Sequence, residues 1–341
     1  SIKNLTLSNV NITSTGSNVA ALVGVISSVS VRIENCHVLS GAVHTTSSGA
    51  AGILARDITD FSGRTVMINN CTNYANITGN GNYVGGIGGW ASCDNCQNHG
   101  TILNNTTKNG YTGGITGRGN VTGSVNTGNV TSYKTVAGIT GSGDATGCRN
   151  SGNITGTDIE VCGISGIGYV TDSHNTGTII STGQYAAGIV GQGGASGCTN
   201  SGDVTGKTYV GGISGSVTTD IVSDCQNSGT VIATGDYAGG IAGRHTNNSS
   251  ASKATEFTGC ENTGDVTSDG NYVGGIVGES NSGYCTLTQT INRGKVTGKD
   301  YVGGIAGSAK SVIDAYNYAD VAGNQNVGGI AGAMYDAAHS I

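Results

Sequence analysis

The sequence predicts an all-β protein, a parallel right-handed β-helix of about 12 coils with three short strands per coil. Three observations predict it. The stretch Tyr209-Val210-Gly211-Gly212-Ile213-Ser214-Gly215 has close copies starting at Tyr83, Tyr111, Tyr185, Tyr237, Tyr272 and Tyr301, and looser ones centred on Leu22, Ile53, Ile139, Ile164 and Ile330. The copies fall as little as 24 residues apart (Ile189 to Ile213) or 25 (Ile139 to Ile164), a period that belongs to stacked repeats. Finally, 341 residues contain no proline, which suits a backbone whose N–H groups are nearly all needed for ladders paired on both sides.

Composition supports this reading. There are 62 glycines and only 11% charged residues, too much glycine for an ordinary globule, and no G-X-Y period that would indicate collagen. Apolar residues return on schedule, so each unit has something to bury and disorder is the weaker interpretation. No window keeps a helical apolar stripe. The repeat runs from end to end, so residues 1–341 are expected to form a single solenoid domain, a segment of a larger protein or a filament subunit.

Each unit has a second signature, seen in Cys198-Thr199-Asn200-Ser201-Gly202-Asp203-Val204 and repeated from Cys148, Cys225 and Cys260, with looser versions from Cys71 and Cys96. A unit then reads as a Gly-Gly-Ile strand, a strand ending at Cys and a Val-Thr strand. Coils about 4.8 Å apart place like residues over like, and twelve of them span roughly 53 Å. Parallel crossovers are almost always right-handed, which gives the expected hand. One inward column runs from Leu22 through Ile53 and Ile87 to Ile330. A second holds Val84, Val136, Val161, Val210, Val273, Val302 and Val327, and a third runs from Ile77 through Val130 to Val321. Positions three apart cannot share a face in a regular strand, so the Gly-Gly between Val and Ile marks a bend.

Asparagine occupies one site in ten consecutive units: Asn73, Asn98, Asn126, Asn150, Asn175, Asn200, Asn227, Asn262, Asn292 and Asn317. A stacked carboxamide donates to one neighbour and accepts from the other, so this is read as a structural ladder, with the following glycine (Gly202 after Asn200) supplying a positive φ at the corner. Seven of the ten cysteines share a column where Ser, Thr and Ala substitute, which describes a small buried site and not a disulfide framework. The single Cys93-Asp94-Asn95-Cys96 pair is a weak zinc signal. Insertions are read at Asp60 to Met67, Ser92 to Asn95, His245 to Phe257 and Glu279 to Gln289, with the stretch from His245 to Lys253 as a mobile or contact loop.

The candidate ligand or partner stripe is the tyrosine column: Tyr83, Tyr111, Tyr185, Tyr209, Tyr237, Tyr272 and Tyr301. Thr135, Glu160 and Asn326 fill the same place elsewhere, so the column is expected to face solvent, where aromatic rings stack on sugars or on another chain. The competing reading is plain strand packing, with neighbouring rings supporting one another.

The Gly-Gly-Ile-x-Gly element, the Cys-x-Asn-x-Gly-x-Val element and the opening Ile2-Lys3-Asn4-Leu5-Thr6-Leu7 followed by Ala21-Leu22-Val23-Gly24 resemble GLUG-motif repeats. That family occurs in large secreted or wall-anchored bacterial proteins, among them adhesin-like surface proteins and the non-catalytic parts of some immunoglobulin A peptidases. The resemblance covers essentially the whole chain. It implies an extracellular or cell-surface β-solenoid and brings no catalytic residues; the peptidases' His-Glu-x-x-His motif has no counterpart here.

The function expected is therefore a non-catalytic structural or adhesive rod, a stalk, adhesin or filament segment that meets a partner with its sides or loops. The expected partners are a glycan or a host or cell-surface protein, together with end-to-end or lateral self-association. The alternatives are a carbohydrate-active β-helix enzyme or a carbohydrate-binding module and, at lower rank, an ice-binding surface built on Thr78, Thr131, Thr155, Thr205, Thr267 and Thr297. An enzyme needs gathered carboxylates. Asp203, Asp265 and Asp320 instead share a corner position with Asn, Thr and Lys, and the six histidines share no common place. No catalytic residue, metal ligand or cofactor is assigned. A net charge of −6 without a basic block argues against nucleic acid, and no apolar run approaches a membrane span.

Overall fold

The computed structural model describes residues 1–27, 30–57, 66–106, 110–218, 221–246, 255–280 and 285–335. The chain is a β-solenoid of stacked parallel strands, and every regular element among the described residues is a strand. Contacts divide it into two compact units, residues 1–158 with 163–167, and residues 159–162 with 168–341. Both are built the same way. In the first, a representative coil runs Val66–Asn69, Thr72–Asn73, Asn76–Gly79, Tyr83–Gly85 and Gly88–Trp90. In the second, one runs Ala195–Ser196, Thr199–Asn200, Val204–Gly206, Val210–Gly211 and Ser214–Val217.

A coil thus carries five very short strands where the sequence reading expects three. The difference lies in the corners. The Gly-Gly-Ile strand breaks in two at Gly86-Ile87, so Tyr83–Gly85 and Gly88–Trp90 belong to different sheets. This is why Val84 and Ile87, three residues apart, both point inward and both are fully buried. A further corner falls just before the cysteine, where the backbone turns through the left-handed region: φ is 52° at Asn70, 51° at Asn95, 48° at Asp172 and 53° at Asp224, with glycine at 123, 147, 197 and 259. Residues with short polar side chains and glycine tolerate that region best.

Pairing is parallel and in register. Ile77 lies beside Ile102 and Ile102 beside Val130 in the first unit, and Val204 beside Val231 and Val231 beside Val266 in the second. The isoleucine column is tied by backbone bonds: the Ile87 amide donates to the Ile115 carbonyl at 2.9 Å and the Ile213 amide to the Ile241 carbonyl at 3.0 Å. Its members from Ile53 to Ile305 are fully buried, whereas Leu22 is half-buried and Ile330 is 41% exposed at the last coil. Each fully buried member contributes roughly 1.5–3 kcal/mol.

The asparagine column is a ladder in both units. Asn73 Nδ2 donates to Asn98 Oδ1 at 2.9 Å, Asn98 to Asn126 and Asn126 to Asn150 at 2.8 Å. In the second unit the same bond links Asn175, Asn200, Asn227, Asn262, Asn292 and Asn317 at 2.8–2.9 Å. The second amide hydrogen goes to the carbonyl two residues on, as from Asn200 to Gly202 at 2.8 Å, so an NH₂ group inside the ladder uses both its hydrogens. The expectation for Gly202 is corrected, because it does not have a positive φ. It is glycine because stacked backbones meet there: a Cβ would lie 2.0 Å from the Gly177 carbonyl oxygen.

The cysteine column is buried, and all ten cysteines are free. Cys71 donates to the Asn69 carbonyl at 3.3 Å and Cys198 to the Ser196 carbonyl at 3.4 Å. Ser124 and Ser173 make the same bond to the carbonyl two residues earlier, which explains the Cys/Ser exchange. Burial pushes the Cys148 thiol up to about 11. Ser92–Asp94 is no insertion but a regular strand beside Met67–Asn69. The four extra residues of that repeat instead lie between Ile102–Asn104 and Tyr111–Gly113. The insertions read at Asp60 to Met67 and His245 to Phe257 lie largely outside the described residues, as does most of the loop from His245 to Lys253, whereas the one read at Glu279 to Gln289 is described except for 281–284, with Cys285–Thr288 a regular strand.

Candidate partner face

The tyrosine column is in register but is not an open aromatic stripe. All seven rings are half-buried, and they face one another. In the first unit Tyr83 and Tyr111 lie 6.2 Å apart, with Trp90 4.9 Å from Tyr83. In the second, five rings form a continuous stack. Centroids are 4.9 Å apart from Tyr185 to Tyr209, 5.1 Å to Tyr237, 5.2 Å to Tyr272 and 4.8 Å to Tyr301, with interplanar angles of 6–11°. Ring faces inside the stack are therefore occupied by other tyrosines, and the column presents edges and hydroxyls.

The backbone under this stack is strained. Tyr185, Tyr209, Tyr237, Tyr272 and Tyr301 have φ between 57° and 69°. Asn18, Gly49 and Asn326 hold the same slot with positive φ, and they are the residue types that adopt it with least penalty. A tyrosine there costs roughly 1–2 kcal/mol, while each aromatic pair returns about 0.5–1.5 kcal/mol beyond its burial. Five strained residues cost about 5–10 kcal/mol and four stacked pairs return about 2–6 kcal/mol, so the stack itself adds no net stability. Strain of this kind, repeated in one column, marks a place where function is to be sought.

Seven residues after each tyrosine stands a second column that sequence reasoning missed. Arg56, Trp90 and Arg118 are successive members in the first unit, as are Gln192, Ser216, Arg244, Glu279 and Ser308 in the second. These side chains lie against the tyrosines or one another. Arg118 and Arg56 cover Trp90, with guanidinium carbons 4.8 and 5.4 Å from the ring centroid. Arg244 sits 5.0 Å over Tyr237 and 5.7 Å over Tyr209, and donates to the Tyr209 hydroxyl at 3.5 Å. Its Nε lies 2.7 Å from Glu279, whose side chain is 4% exposed. Gln192 donates to Glu160, the residue in the tyrosine slot one coil earlier. The signal in the sequence was a slot that varies from Trp to Arg, Ser, Gln and Glu immediately after an otherwise regular motif.

Burial shifts the phenols. The Tyr185 and Tyr237 hydroxyls are raised above the ordinary tyrosine value, chiefly by desolvation, and Tyr272 is pushed up to about 12 by desolvation and by Tyr335. A phenol raised in the folded state favours folding fully below pH 10, and that contribution is lost as pH rises towards 12. The expected result is alkaline destabilisation in that window, with the tyrosinate absorbance of Tyr185, Tyr237 and Tyr272 lagging behind that of a free tyrosine. Tyr272→Phe should flatten the loss, and an unchanged alkaline denaturation curve would contradict this.

Other sequence candidates have structural occupations. Asp203 Oδ1 accepts from the Thr230 amide and Asp265 Oδ1 from the Lys295 amide, both at 2.9 Å, so these carboxylates cap the neighbouring coil's backbone. His99 stacks on Tyr74 at 4.4 Å, His174 Nδ1 lies 2.6 Å from Thr199 Oγ1, and His245 is buried at the edge of Phe257. His339 lies outside the described residues. Cys93 and Cys96 are both buried, and among the described residues no group of three or more His, Cys, Asp or Glu converges on a metal position. The threonine column is in register but broken by Leu103, Ile180, Ile232 and Ala322. In the first unit a cleft of about 370 Å³ lies beside Trp90, lined by Asp57, Met67, Ser92, Asp94 and Asn120 among others. Among the described residues no helix is long and apolar enough to cross a membrane. Compared with family models, curated proteins and solved structures, the chain finds no match.

Proposed function

We propose that the chain is a non-catalytic, extracellular repeat rod of the GLUG-like kind, a segment of a surface stalk, adhesin or filament that engages a glycan or surface protein through one side. The observation that carries this reading is the tyrosine ladder with its companion column. In that column the repeat departs from the residue its backbone prefers in consecutive coils, first at Glu160 and then at five tyrosines running. Elsewhere the polar residues are used internally: asparagine amides bond to one another, aspartates to amides, thiols to carbonyls. Such a division of labour suits a scaffold whose partner chemistry is confined to a lateral face.

The test is a screen of the full chain against a glycan array and a panel of surface proteins, repeated with Tyr209→Ala and Tyr237→Ala. The expected outcome is a partner whose binding falls at least ~10-fold in both variants, as loss of about 1.4 kcal/mol would produce. Binding that is unchanged in both variants would discard the ladder as the partner face.

A further inference from the structure

We propose that the ladder from Tyr185 to Tyr301 is a track for a neutral, extended, β-1,4-linked polysaccharide lying along it, one sugar per tyrosine. This rests on the ladder being the partner face and names the ligand class. Three features of the second unit point to it.

First, the ladder is a ruler. Its successive steps of 4.9, 5.1, 5.2 and 4.8 Å are nearly equal, because ring spacing is set by the strand spacing beneath. A ligand that contacts every rung must repeat at the same interval. An extended polypeptide advances about 3.3 Å per residue and about 6.6 Å between side chains on one face, and neither step matches the rungs. A β-1,4-linked chain in its flat ribbon form advances one sugar per step of about this size, and although alternate sugars are flipped, each edge of the ribbon carries hydroxyls at every step.

Second, the stack offers edges and hydroxyls and no free faces within its length. That excludes the usual sugar-on-ring stacking along the ladder and leaves hydroxyl-to-hydroxyl bonding, which suits a ligand with hydroxyls at every step.

Third, the charges beside the ladder are nearly balanced: Glu160, Asp236, Glu279 and Asp300 stand against Arg244, whose guanidinium is already engaged by Glu279, and against the exposed Lys207 and Lys299 two residues before Tyr209 and Tyr301. A polyanion such as nucleic acid or an acidic glycan finds no continuous basic track there, and a neutral chain needs none.

The experiment is co-sedimentation of the full chain with microcrystalline β-1,4-glucan and with chitin, against granular α-linked glucan. The wild type should sediment with one or both β-1,4-linked solids and not with the α-linked one. The triple variant Tyr237→Phe/Tyr272→Phe/Tyr301→Phe keeps the stacked rings and removes three hydroxyls, so its unfolding midpoint should stay while retention falls at least ~10-fold. Equal retention of the phenylalanine variant, or no preference for β-1,4 linkage in the wild type, overturns the inference. If the wild type ignores these solids yet another partner is lost in Tyr209→Ala and Tyr237→Ala, only the polysaccharide assignment falls. If those alanine variants bind every partner as the wild type does, the partner-face reading falls with it.

Discussion

Replacing Gly212 with alanine is expected to destabilise the second unit by roughly 3–5 kcal/mol or to prevent its folding, while Gly329→Ala leaves stability within about 0.5 kcal/mol. The two glycines hold the same motif position. At Gly212 an added Cβ would lie 2.3 Å from Asn227 Cγ and 2.2 Å from the Gly240 carbonyl oxygen. Neither neighbour is free to withdraw, because the carboxamide is a rung of the asparagine ladder and the carbonyl is backbone. The clash therefore costs overpacking and a disturbed ladder together. At Gly329, in the last described coil, an added Cβ meets nothing within 4 Å. Denaturant unfolding of the two variants beside the wild type reads the difference. Comparable midpoints for Gly212→Ala and Gly329→Ala would mean that the motif glycine is there for backbone freedom and not for contact with Asn227.

The second large effect concerns the ladder itself. Asn200→Ala removes the acceptor used by Asn175, the donor used by Asn227 and the donor to the Gly202 carbonyl, all buried. Each orphaned group costs about 1–3 kcal/mol, so a loss of roughly 3–6 kcal/mol is expected after partial relaxation. Asn317→Ala strips one rung at the ladder's end, where Asn292 loses its acceptor and the site is only half-buried. About 1–2 kcal/mol is expected there. Because neighbouring coils unfold semi-independently in repeat proteins, hydrogen exchange around the mutated coil is a better measure than one global transition. Equal losses at Asn200 and Asn317 would contradict a cooperative column.

The inward columns were legible in the sequence because the same branched residue returns with the coil, and Ile87 or Ile213 needs no structure to be recognised as core. The ten asparagines were legible for the same reason. The five-strand coil was not, since the corner before each cysteine is made by a backbone conformation shared by Asn70, Gly123, Asp172 and Gln289, which share no single letter. The contact between Gly212 and Asn227 was equally hidden: both residues stand out in the repeat, but nothing in a linear pattern says that one packs on the other. The candidate face was half visible. The tyrosines were found, and packing of neighbouring rings on one another was one of the two readings given to them; the positive φ from Tyr185 onward had no signal in the letters. The companion column holding Arg244 and Glu279 was passed over because variability in a repeat reads as indifference, although here it places the chemistry.

Stacking of like on like is what makes the polar repeat residues scaffold and leaves one face for a partner. The most direct measurement is side-chain amide exchange by NMR, comparing Asn98, Asn126, Asn200 and Asn227 with the exposed corner residues Asn129 and Asn153. Both hydrogens of a ladder amide are bonded internally, so the ladder carboxamides are predicted to exchange orders of magnitude more slowly than those of Asn129 and Asn153. Exchange of the ladder amides at the rate of the exposed ones would contradict the column, and with it the assignment of function to the tyrosine face.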